Sequence, residues 1–160
     1  MTPTSTATER TAVFAGSFRP FTAGHADIVE RALALFDRVI VAIGVNIAKE
    51  GAAREAEATA ATIAGLYAAC PAVSVEIYSG LTADFARSRG ACALVRGVRS
   101  VRDFDYERDM ADLNRRISGI ETVLMTSRPE LSAVSSSAVR ELQAFGADIS
   151  SFLPNPYKPE

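Results

Sequence analysis

Short β-branched apolar runs alternate with longer segments of helical period along most of this chain, and no other feature restricts its fold as strongly. The runs are Ala12 to Ala15, Val39 to Ile43, Val73 to Ile77, Cys92 to Val95 and Thr122 to Met125. No polar residue interrupts Val39-Ile40-Val41-Ala42-Ile43, which is the habit of strands covered on both faces in a parallel sheet. Helical spacing follows the first run (Ile28, Val29, Ala32, Leu33, Phe36), the second (Ala60, Ile63, Ala64, Tyr67), the fourth (Tyr106, Met110, Leu113, Ile117) and the fifth (Val139, Leu142). Gly90, Gly119 and Gly146 stand where helices should end or the chain should turn. The pattern predicts one doubly wound α/β domain over 11–160, built on a five-stranded parallel sheet. Residues 1–10 are polar and Thr-rich and are expected to be a frayed tail. The stretch from Phe152 to Glu160, with three prolines, is expected to close the fold without adding an element.

A chain of 160 residues, 48% hydrophobic, can bury its core without disulfides or metal staples. Its formal net charge of -2 gives no general attraction for nucleic acid, so any anion site must be local. Cys70 and Cys92 lie too far apart for a metal-ligand pair and have no His nearby; both read as reduced, buried apolar residues. No apolar run approaches the ~20 residues of a membrane span. The opening MTPTSTATER lacks the regions of a signal peptide, so the expected location is the cytoplasm, with no membrane partner.

Doubly wound sheets bind ligands beyond the carboxyl ends of their strands, so chemistry should lie in the loops there. The first such loop is Gly16-Ser17-Phe18-Arg19-Pro20-Phe21-Thr22-Ala23-Gly24-His25, and it opens a helix. Two glycines, two hydroxyls and the chain's only His at a helix N-terminus make a phosphate site, although the same residues also suit an ordinary βα turn with a capping Thr. The spacing is neither G-x-G-x-x-G nor a Walker A loop. Arg96 and Arg99 are read as standing just past the fourth strand, where guanidinium groups suit paired bonds to phosphate. Lys49 follows the second strand; a lone loop Lys faces solvent by default. Ser135, Ser136 and Ser137 precede a helix expected to start near Ala138, where one of them can cap and the others can offer donors to phosphate.

The first loop resembles the class I nucleotidylyltransferase signature G-[ST]-F-D-P-x-[TH]-x-G-H, and its Thr22-Ala23-Gly24-His25 version is similar to that of the phosphopantetheine adenylyltransferases. Val95-Arg96-Gly97-Val98-Arg99 with Asp103-Phe104-Asp105-Tyr106-Glu107 resembles that family's R-G-[LIV]-R and D-F-x-Y-E block. Val134-Ser135-Ser136-Ser137 resembles its I-S-S-[ST] motif, and Asn114-Arg115 its N-R pair. The resemblance spans about residues 11 to 155 and implies a Rossmann-like nucleotidylyltransferase fold. It implies transfer of the adenylyl group of ATP to 4'-phosphopantetheine, with Mg2+ held mainly by the ATP phosphates, in a homohexamer. By the same resemblance His25, Lys49 and Arg99 are catalytic. Ser17, Phe18, His25, Gly97, Arg99, Glu107 and Ser135 to Ser137 would meet ATP, while Ser17, Lys49, Thr82 and Arg96 would meet the acceptor. No protein ligand set for a metal is expected. Tyr106 reads as a core residue and Arg102 as a surface one.

Three departures from the pattern stand out. Arg19 replaces the loop's Asp, reversing a charge beside the phosphate site. Gly51 to Thr59 is Ala-rich where the family has F-[TS]-x-[ED]-[KE]-R, so no motif fixes how the next helix begins. Leu131 replaces an aromatic that borders the base. The alternatives to the main reading are a nucleotidylyltransferase with another phosphate acceptor and a nucleotide-binding module without turnover.

Overall fold

The computed structural model describes residues 8–158. Five strands, β1 (Thr11–Gly16), β2 (Arg38–Gly44), β3 (Val73–Tyr78), β4 (Ala93–Val98) and β5 (Glu121–Thr126), form one parallel sheet in the order β3-β2-β1-β4-β5. Around it lie α1 (Ala23–Ala32), α2 (Ala52–Leu66), α3 (Thr82–Ser88), α4 (Val101–Ser118) and α5 (Ser136–Ala144). Strand order reverses between β1 and β4, and a crevice opens at such a switch point.

Successive strand residues face opposite sides, and the apolar runs feed two cores. Ala12, Phe14, Val39, Val41 and Ile43 pack with Ile28, Val29 and Ala32 of α1 and Ile63 of α2. Val13, Ala15, Ile40, Ala42 and Leu94 pack with Ala83, Phe85 and Ala86 of α3 on the other face. Each fully buried Val or Ile contributes ~1.5–3 kcal/mol, whereas an exposed ion pair contributes ~1 kcal/mol at most, so these two cores set the sheet's position.

Several expectations need correction. The fourth strand runs to Val98, so Arg96 lies inside it and only Arg99 stands beyond its end. Helix α3 carried no clear periodic signal because it is seven residues long. The apolar stripe of α4 does not face the core: Tyr106, Leu113 and Ile117 are exposed, and the one buried residue of the helix is Glu107. Cys70 is buried as expected, but Cys92 is exposed, its thiol donating to the Thr11 carbonyl at 3.4 Å. Of the expected tail, residues 1–7 lie outside the described residues; Arg10 is not frayed, since its N–H donates to Asp37 Oδ2 at 2.7 Å. The Ala-rich segment does form a helix: Gly51, at φ 77, turns the chain into α2. A 3-10 turn forms at Ser150–Phe152, and beyond it the Tyr157 N–H donates to the Leu66 carbonyl at 2.8 Å, strapping the C-terminal stretch to α2.

Candidate active site

The crevice begins where the ladder between β1 and β4 stops. The two strands pair from Ala12 with Ala93 to Phe14 with Val95. Beyond that point Arg96 Nη1 donates to the Ala15 carbonyl, so a guanidinium satisfies the backbone acceptor that the parting strands release. The resulting cleft of about 290 Å³ is lined by Ser17, Phe18, His25, Arg96, Gly97, Arg99, Glu107 and Ser135 to Ser137, drawn from four separate stretches of sequence.

Its floor is the loop from Gly16. Phe18 sits at φ 49, a left-handed conformation that a bulky residue rarely adopts, and its ring is buried against Phe14, Phe21 and His25 with centroids 5.1–5.3 Å apart. A Cβ on Gly16 would lie 3.0 Å from that ring, so glycine is what lets the loop fold back. The local conformation is strained, and aromatic packing holds it.

Helix α1 opens with an uncommon capping box. Thr22, fully buried, accepts from the His25 N–H at 3.4 Å, while the Thr22 N–H donates to His25 Nδ1 at 2.9 Å. A backbone N–H only donates, so Nδ1 accepts and the neutral ring carries its proton on Nε2. Burial, with Arg99 and Arg96 adding repulsion, lowers the His25 pKa from 6.5 to about 4. At neutral pH the imidazole is therefore an uncharged donor, held in one tautomer by the helix cap.

Arg96 and Arg99 are each tied to a carboxylate. Arg96 donates to both oxygens of Glu107, Nε to Oε2 at 2.8 Å and Nη2 to Oε1 at 2.7 Å. Burial works against the charge of Arg96, but the bonds to Glu107 and its charge outweigh it and raise the guanidinium's pKa further. Arg99 donates through its backbone N–H and its Nε to Asp103 Oδ2, both at 3.1 Å. Both oxygens of Glu107 thus serve Arg96.

The three serines lie across the cleft at the start of α5, which begins at Ser136 rather than near Ala138. Ser135 is the N-cap, accepting from the Ala138 N–H at 3.0 Å. The Ser136 hydroxyl donates to the Pro20 carbonyl at 2.8 Å, and that of Ser137 accepts from Arg140 at 3.3 Å. The first N–H groups of α1 and α5 lack intrahelical acceptors, an arrangement that suits an anion, and these two helix N-termini meet at one cleft.

Lys49 and Thr82 lie outside this cleft. Lys49 lines a small neighbouring cavity of about 70 Å³ that shares Ser17 with it. Thr82 lines a third cavity, of about 310 Å³, whose shared wall with the main cleft is Ala15, Arg96 and Glu107. The Thr82 hydroxyl is bonded to Tyr78 Oη at 2.6 Å. Thr122 Oγ1, at the wall of that third cavity, is buried without a partner among the described residues. Sequence reasoning gave Thr22 only as a helix cap and missed both its hold on His25 and the support Asp103 gives Arg99; the signals were the Thr22-x-x-His25 spacing at a helix start and an acid four residues after Arg99.

A cytidylyltransferase-like family model matches residues 13–142. The phosphopantetheine adenylyltransferase of Porphyromonas gingivalis is 59% identical over 143 residues, covering 89% of this chain and 93% of that protein. That of Phocaeicola vulgatus is 46% identical, covering 93% and 98%. Among solved structures, a bifunctional NMN adenylyltransferase/ADP ribose pyrophosphatase from Francisella tularensis aligns with a TM-score of 0.64 at 15% identity, over 91% of this chain and 45% of that one, and supports the fold alone. With near-complete coverage at these identities, and a cleft assembled from the motifs in question, the chain belongs to the phosphopantetheine adenylyltransferase family.

Proposed function

We propose that the chain transfers the adenylyl group of ATP to 4'-phosphopantetheine, giving dephospho-coenzyme A and pyrophosphate. The observation that carries this reading is Arg96, a paired guanidinium on the wall shared by a cleft with two helix N-termini and a second, partly apolar cavity. A triphosphate fits the first environment, and the acceptor's arm, with Thr82 beside it, fits the second.

An acceptor phosphate oxygen attacks the α-phosphorus, the bond from that phosphorus to the bridging oxygen breaks, and pyrophosphate leaves with the electron pair. No protein nucleophile is required, so catalysis is positioning plus charge stabilisation. His25 donates its Nε2 proton as a hydrogen bond to the charge that develops on the phosphate oxygens. Arg99 and the first N–H groups of α5 hold the triphosphate, with the Phe18 backbone N–H and Gly97 beside the nucleotide. Arg96, Lys49 and Ser17 orient the acceptor phosphate. Glu107 acts on the acceptor side, by fixing Arg96.

Mg2+ supplies neutralisation of the phosphate charge when bound. Asp103 and Glu107, the carboxylates lining the cleft, are committed to arginines, and no group of three or more potential metal ligands occurs among the described residues. On this proposal Mg2+ would be held mainly by the ATP phosphates. The exposed Tyr106, Leu113 and Ile117 on α4 are apolar area that a neighbouring subunit would cover, which supports a homo-oligomer; a homohexamer is what the family resemblance implies. No helix among the described residues is long and apolar enough to cross a membrane. The test is acceptor-dependent pyrophosphate release from ATP and Mg2+. We expect 4'-phosphopantetheine to support it and nicotinamide mononucleotide and glycerol phosphate not to; release with either of the latter alone would assign another acceptor.

A further inference from the structure

Arg19 stands where the loop motif usually has Asp, and its contacts tie together three elements. Its guanidinium pairs with Glu55 in the first turn of α2. Its carbonyl accepts from the Arg140 guanidinium on α5, and the following carbonyl, of Pro20, accepts from the Ser136 hydroxyl at 2.8 Å. The phosphate-binding loop is thus braced by its backbone against α5 and by a side chain against α2. On the α2 side, the Ala52 N–H donates to the Lys49 carbonyl at 3.2 Å and the Glu55 N–H to the Gly51 carbonyl at 3.1 Å. Lys49 and Glu55 therefore sit on one hydrogen-bonded run of backbone. Ser17, Arg19, Lys49 and Glu55 line the same small cavity.

Both partners are substantially exposed, 43% for Arg19 and 53% for Glu55. Pairs of that kind shift an equilibrium by only about two- to fivefold and weaken with salt, too little to hold the fold but enough to bias where a loop rests. The pairing also neutralises Arg19, which argues against a free cation that simply attracts phosphate.

We infer that Arg19 is a positioning residue acting through Glu55: their ion pair sets the first turn of α2, and with it Lys49, against the phosphate-binding loop. This rests on the proposed meeting of Lys49 with the acceptor phosphate. A direct phosphate ligand and a positioning residue differ in sign, because removing the charge of Glu55 frees the first and disarms the second.

The experiment is steady-state kinetics, at low and high salt, on variants whose folding is checked by their unfolding midpoints. Glu55→Gln should raise the acceptor KM about three- to fivefold at low salt, leave the ATP KM unchanged, and lose its effect at high salt. Arg19→Asp, which sets two carboxylates face to face, should raise it on the order of tenfold. The exchange Arg19→Glu with Glu55→Arg should return it to within about twofold of the parent. In a Lys49→Ala background, Arg19→Asp should add nothing. The inference is overturned if Glu55→Gln lowers the acceptor KM or leaves it unchanged, if the exchange fails to restore it, or if Arg19→Asp and Lys49→Ala multiply. An unchanged KM in Lys49→Ala alone would remove both the proposed role of Lys49 and this inference, whereas multiplicative effects with an impaired Lys49→Ala remove the inference only.

Discussion

His25 is the residue whose environment defines its role most closely. Its Nδ1 is occupied by the Thr22 N–H, burial keeps the ring neutral, and Nε2–H is the donor left for ligand. A donor aimed at charge that develops during the reaction lowers the barrier more than it tightens ground-state binding. His25→Ala is therefore expected to abolish turnover while ATP binding, measured by calorimetry, changes by no more than about tenfold. The two arginines should separate in a different way. Arg99→Ala removes an exposed pair with Asp103, so it should weaken ATP binding at little cost in stability. Arg96→Ala leaves the Glu107 carboxylate buried and alone; it should raise the acceptor KM and also lower unfolding free energy by about 3–5 kcal/mol, read by urea titration. Equal losses of both ligands in both mutants would refute the division of labour.

Among the elements, the strand-loop-helix unit from β1 to α1 carries most of the geometry. Gly16→Ala would press a Cβ onto the Phe18 ring at 3.0 Å, and with a strained φ of 49 at Phe18 the loop has no easy way to yield. Overpacking of that kind costs about 1–3 kcal/mol, so the variant should unfold at lower urea and bind ATP more weakly. How far such elements can be read in advance depends on what drives them. The central strands β1, β2 and β4 were legible because burial on both faces writes continuous apolar runs, the edge strands β3 and β5 because their β-branched residues stand out even where polar ones interrupt or flank them, and α1 because its apolar residues recur at helical period. Helix α3 was not, being too short to show a period. Helix α4 was legible, but its Tyr106 was misread as core, since periodicity records an apolar face without recording what covers it. The cleft's members were found through their motifs. The pairing of Arg96 with Glu107 in the cleft, and that of Arg19 with Glu55 beside it, were not legible, because they join residues on different elements that only the fold brings together.

The molecule as a unit should also report on His25 through pH. Its folded pKa of about 4 lies below the unfolded 6.5, so between those values the unfolded chain binds more protons than the folded one. Stability should be level above about pH 6.5 and decline as pH falls toward 4, by no more than about 3 kcal/mol from this group. Urea unfolding at pH 5 and pH 7.5 should show that decline in the parent and a smaller one in His25→Gln. The claim that joins cleft, cavity and charge is that one site moves an adenylyl group directly between two phosphates. Incubation with ATP labelled at the α-phosphorus, Mg2+ and 4'-phosphopantetheine tests it most directly. Label should pass into the acceptor product in step with one pyrophosphate per transfer, and His25→Ala should stop both; release of orthophosphate instead, or label that never leaves the nucleotide, would contradict it.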